Sequence, residues 1–251
     1  MVTADYIEII GPALAVGLLI ALVHAPLGVE VLRRGIVFID LAIAQIAGLS
    51  AVTINTVIDE PSRAVIQGVS LLSAIVAAGF FRWVERRLPD EQEAIIGCCF
   101  VLAASAALLV LANHPHGGEE MEHILSGQIL FVTWQDVFAY LPIYVTVLSL
   151  WLFWPGARDG YWFFLLLALA ITASVQLVGV FVVFASLVLP ALAVNPWREG
   201  KTRRAWIVAA GSVIAGITLS ALFDLPSGPL MVLAFAVFAI GCRSFVFRRQ
   251  G

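Results

Sequence analysis

The sequence predicts an all-α fold, a polytopic transmembrane bundle of about nine spans and no fewer than eight. Hydrophobic residues make up 61% of the 251 positions and charged ones only 12%, with a mean hydropathy of +1.01, outside the balance of a soluble domain. Several apolar runs approach the ~20 residues that a helix needs to cross a hydrocarbon core of about 30 Å, and short charged or Pro/Gly turns separate them. None alternates apolar and polar residues as a barrel strand must, which excludes a membrane β-barrel.

The runs place spans near 8–28, 36–57, 64–83, 93–112, 133–154, 161–177, 179–196, 205–222 and 229–246. The sixth and seventh meet at Gly179 with almost no loop, so one long span with a broken or re-entrant piece is the eight-span alternative. The first ten residues, MVTADYIEII, lack a basic n-region and a small-residue cleavage site, and the first helix is read as a retained span. Residues 1–251 form one transmembrane domain, with 113–132 the longest connection. Cys98, Cys99 and Cys242 lie within apolar runs and form no CxxC pair, so they predict neither a disulfide framework nor a thiolate metal site.

Sidedness follows from the basic residues, which are retained on the cytoplasmic face. With nine spans, Arg33 and Arg34, the Arg82–Arg87 group, Arg158, the Arg198–Arg204 group and Arg243–Arg249 all share one face, and only Arg63 is left on the other. The N-terminus is then outside and the C-terminus cytoplasmic. The opposite face is acidic and bears Asp59, Glu60, NHPHGGEEMEH at 113–123, and Asp224. No Walker motif, catalytic triad or nucleic-acid-binding pattern is present, so what the chain does it does in or at the edge of the membrane.

Two sets of polar residues are candidates for chemistry. Asp40 lies in RRGIVFIDLAIAQIAGLSA, where a carboxylate costs several kcal/mol unless it is paired, protonated or wetted. His24 and Asp40 each stand about eight residues from the turn near residue 32, at matching depth if the first two helices are antiparallel neighbours. Such a pair suits Zn²⁺ or Mn²⁺, or a proton relay, whereas a plain packing role leaves His24 bonded to a backbone carbonyl near Pro26. Asp40, Ala44, Ala47, Gly48 and Ala51 share one small-residue face, and Gln45 points about 140° away from the acid.

The second set is the acidic-face loop, where His114, His116, Glu119, Glu120, Glu122 and His123 could gather a divalent cation. Its plainer reading is a solvated loop whose EEMEH opens a short helix. Gln67, Gln176 and Asp136 are weaker candidates, and Thr172, Ser174 and Ser186 read as packing residues.

The order APLGVEVLRRG, FIDLAIAQIAG, EAIIGCCF, GQILFVTWQDV, VGVFVVFASLVLPALA and DLPSGP resembles the transmembrane permease subunit of zinc/manganese ABC importers from about residue 10 to residue 235. The resemblance implies a homodimer in a prokaryotic plasma (inner) membrane, in contact with lipid, served by a cytoplasmic ATP-binding subunit and an extracytoplasmic metal-binding protein. No intrinsic cofactor is implied, and the cargo is a divalent metal, zinc foremost, with manganese or iron as alternatives. Two departures stand out. The family's second helix presents an Asp with a His four residues on, and here Asp40 is followed by Ala44. The family's coupling helix after the fifth span is replaced by PGARDG, residues 155–160. Two competing classes are a proton-coupled carrier or channel using Asp40 and His24, and a transport-inactive assembly subunit.

Overall fold

The computed structural model describes residues 2–58, 61–111, 127 and 129–250, with side chains described between 10 and 244. Among the described residues there are eight α-helices and no strand: α1 Val2–Arg34, α2 Ile39–Val57, α3 Arg63–Arg87, α4 Gln92–Leu111, α5 Trp134–Phe153, α6 Gly160–Val194, α7 Lys201–Phe223 and α8 Ser227–Gln250. All eight contain segments long and apolar enough to cross a membrane. Their ends follow local chemistry. Ser62 caps α3, Thr133 and Asp136 form a capping box on α5, and Pro89 and Pro155 follow directly on the residues that close α3 and α5.

The 35 residues of α6 would span about 52 Å if straight, far beyond a hydrocarbon core of about 30 Å. Instead the chain breaks at Gly179, whose φ of 76° and ψ of 166° are open only to glycine. Both arms end near the arginines. Arg34 donates to the Arg158 carbonyl at 2.7 Å just before the first arm, and Gly160 lies against the Arg82 side chain. The second arm feeds α7, which runs antiparallel to α1: Trp206 Nε1 donates to the Leu22 carbonyl at 2.9 Å, and Gly17 lies against Val213 and Ile217. The α6 hairpin thus adds a crossing, and the described helices supply nine apolar segments.

The α1 and α6 helices form the centre of the bundle, with 67% and 78% of their apolar windows buried, against 22–44% for the others. The hairpin lies beside α1 so closely that a Cβ on Gly28 would fall 1.9 Å from the Leu187 carbonyl oxygen. At the arginine end, Glu30 accepts from Arg33 and Arg34, Arg34 also donates to Glu85, and Glu85 pairs with Arg82. This network joins α1, α3 and the 3₁₀ turn Pro155–Arg158, and it gathers three of the basic groups on one face.

Candidate functional site

At the end away from those arginines, α2, α3, α5, α6 and the segment from Gly127 to Val132 line a half-open chamber of about 490 Å³, within the range of small-ligand sites. Ala47, Gly48 and Ala51 of α2 line it because small side chains leave room beside that helix. Arg63 and Asp136 line it as well, paired at 3.5 Å, with Arg63 almost fully exposed. Along its wall, Gln67 Nε2 donates to the Tyr140 hydroxyl at 2.7 Å, and that hydroxyl donates to Gln176 Oε1 at 2.6 Å. The Ser70 and Thr172 hydroxyls, both buried residues lining the same chamber, have no hydrogen-bond partner among the described residues.

Asp40 lies below the chamber on the same helix, seven residues from Ala47 and so about 10 Å toward the arginine end. It is 0% exposed, and neither carboxylate oxygen has a hydrogen-bond partner among the described residues. Ala44, one turn nearer the chamber, is also buried and offers no ligand atom. At the start of α2, Glu93 of α4 accepts from the Phe38 amide at 3.3 Å, so a second carboxylate stands near that end. An ionised carboxylate left in this state costs several kcal/mol, so Asp40 favours arrival of a cation or a proton.

His24 is equally buried but fully occupied. Its Nδ1 lies 2.7 Å from Ser186 Oγ and its Nε2 3.1 Å from Ser174 Oγ, which in turn lies 3.0 Å from the Tyr144 hydroxyl. Each serine also reaches a carbonyl of its own helix, Ala170 for Ser174 and Val183 for Ser186. Either tautomer of a neutral imidazole is therefore satisfied: the serine facing the ring N–H accepts and turns its own hydrogen to a carbonyl, while the other donates to the ring. Twelve residues of straight helix would separate the two serines by about 18 Å, and only the reversal at Gly179 lets one ring touch both.

The expected pairing of His24 with Asp40 is therefore corrected. The expected matching depth is not found: α1 runs on to Arg34, ten residues past His24, whereas Asp40 is the second residue of α2. The two helices also barely touch, since α1 packs chiefly on α6 and α7, while α2 packs on α3, α4 and, to a lesser extent, α6. Ser174 and Ser186, read from sequence as packing residues, are the partners His24 takes. His114, His116, Glu119, Glu120, Glu122 and His123 lie outside the described residues. Among the described residues, no three or more His, Cys, Asp or Glu side chains gather as a metal cluster.

Tyr140 and Tyr144 were not singled out from the sequence. With Asp136 they stand at i, i+4 and i+8 on α5, a polar stripe at helical spacing that sequence reasoning could have found. Thr172 and Gln176 repeat the i, i+4 pattern on the first arm of α6.

Residues 6–156 and 159–245 match the model of the ABC 3 transport family. The chain is 22% identical to the high-affinity zinc uptake system membrane protein ZnuB of Haemophilus influenzae, over 96% of this chain and 95% of that protein. It is 26% identical to the manganese transport system membrane protein MntC of Halalkalibacterium halodurans, over 91% of this chain and 84% of that one. Its fold matches PsaBC from Streptococcus pneumoniae, solved in complex with Fab, with a TM-score of 0.77 at 17% identity and full coverage of both chains.

Proposed function

We infer the role of this chain from one premise: it belongs to the ABC 3 transport family. It is an integral membrane protein and a metal-type ABC permease subunit. We propose that it imports a divalent metal, zinc foremost, through a prokaryotic inner membrane, with the N-terminus outside and the C-terminus cytoplasmic. ATP hydrolysis belongs to a separate cytoplasmic subunit, an extracytoplasmic metal-binding protein delivers the cargo, and a second copy of the chain completes the permease. The zinc uptake protein matches at nearly full length, which supports zinc, while the manganese relative is similar enough to keep manganese the main competitor.

One observation carries the pathway: a sealed carboxylate at Asp40, without a hydrogen-bond partner among the described residues, lies beneath a chamber lined by its own helix. In this reading the chamber receives cargo at the acidic face, and the desolvated acid attracts its positive charge inward. Movement of α2 against α3 and α4 would then open Asp40 toward the arginine end. The carrier reading relied on a His24–Asp40 proton couple, and the imidazole is instead engaged by α6. Uptake of radioactive zinc by cells expressing the full transporter tests the assignment. Asp40→Asn, which keeps the shape and removes the charge, should abolish uptake at unchanged protein level, and normal uptake would overturn it.

A further inference from the structure

The buried carboxylate oxygens that lack a hydrogen-bond partner among the described residues belong to two side chains: both oxygens of Asp40 and Oε2 of Glu93. These residues lie in the first turns of α2 and α4, two helices that pack on one another and both start at the arginine end. Glu93 Oε1 accepts from the Phe38 amide at 3.3 Å, two residues before Asp40, and the charge of Glu93 acts on Asp40. The first turn of α2 has no side-chain cap of its own, so α4 supplies one.

Acids in a first turn complement the helix dipole, and one oxygen of Glu93 is accounted for as a cap. The other three oxygens are not, since carboxylates serving only that purpose would be bonded to amides or wetted. Exposure also grades along this corner: Asp40 is sealed, Glu93 is half-buried, and Asp90 and Glu91 in the adjoining Pro89–Glu91 turn are exposed. Arg86 and Arg87 flank that turn, so its acids alone decide nothing; the sealed oxygens above it do.

A divalent ion held at one sealed carboxylate is slow to leave, and a second carboxylate nearer water lowers that barrier. Asp40 and Glu93 together match the ion's two charges, whereas two neighbouring carboxylates without an ion repel. We propose that Glu93 is the exit ligand of the pathway: it takes the cation from Asp40 and passes it to the water at the Pro89–Glu91 turn. In turning to the ion, Glu93 lets go of the Phe38 amide and frees the start of α2. The proposal rests on the pathway reading above and adds the step from Asp40 to the cytoplasm.

Uptake of ⁶⁵Zn into proteoliposomes by the full transporter tests this step. Glu93→Gln keeps an acceptor for the Phe38 amide and removes the charge. It should lower the maximal uptake rate at least tenfold without raising the zinc concentration for half-maximal uptake, and zinc retained in the absence of ATP should stay within twofold of the parent. Glu93→Asp, which keeps the charge, should retain at least a third of the parent's rate. The proposal is overturned if Glu93→Gln transports at the parent's rate, if it loses zinc retention together with uptake, or if Glu93→Asp is as inactive as Glu93→Gln.

Asp40→Asn separates the two readings. Uptake and retention are lost together in that variant if the pathway reading holds, and normal uptake by it removes that reading and Glu93 with it. An inactive Asp40→Asn beside a parent-like Glu93→Gln leaves the pathway standing and removes Glu93 alone.

Discussion

His24 and Asp40 are two ionisable side chains buried to the same degree, and they differ in everything else. The imidazole has both nitrogens engaged and joins the two arms of the α6 hairpin to α1. The carboxylate has no hydrogen-bond partner among the described residues, yet it sits in the first turn of a well-formed helix. A satisfied buried polar group holds a structure together, whereas an unsatisfied one is tolerated at a cost in stability and points to a task outside folding. The difference makes His24 a link between helices and supports the proposal that puts Asp40 on the transport path.

The strongest way to break this contrast is to neutralise the acid. Asp40→Asn should remove uptake and at the same time raise thermal stability or leave it unchanged, since a desolvated charge is lost and no hydrogen bond with it. A fall in melting temperature of the purified protein would mean that Asp40 has a structural partner. His24→Leu should act in the opposite sense. It removes two side-chain hydrogen bonds, each worth about 0.6 to 1.7 kcal/mol inside a membrane bundle, so a loss of about 1–3 kcal/mol in unfolding experiments is expected. Metal affinity of the folded fraction should not change, and a specific loss of it would return His24 to the pathway. Arg63→Ala sharpens the contrast from its weak end. An exposed ion pair contributes ~0–1 kcal/mol, so stability should hardly move.

Much of the bundle is readable from the sequence because a hydrocarbon core imposes length and apolarity on every span, and both are one-dimensional properties. The break at Gly179 showed in the same way, as two apolar runs without a loop. Helix rotation and neighbour choice are not one-dimensional. His24 and Asp40 looked level from a turn placed near residue 32, but α1 continues to Arg34 and Asp40 falls in the first turn of α2, while α6 supplies the side chains that meet the ring. Ser174 and Ser186 lie twelve positions apart, a spacing with no meaning until the chain doubles back. Asp40 itself was legible, since a lone acid in an apolar helix stands out wherever it points. The chamber was only partly so: the small-residue face of α2 was visible, while the tyrosines of α5 were hidden by their ordinary place in an apolar run.

The positive φ at Gly179 has a consequence for the whole chain. Among the described residues it turns eight helices into nine apolar segments, so one backbone dihedral decides at which end of the bundle everything after it begins. If α6 ran straight through, α7, α8 and the arginines at 203, 204 and 243 would emerge on the face opposite to Arg34 and Arg158. A substituent on that α-carbon would therefore act on topology as well as on local strain, setting the last third of the protein against the charge pattern of the first two thirds.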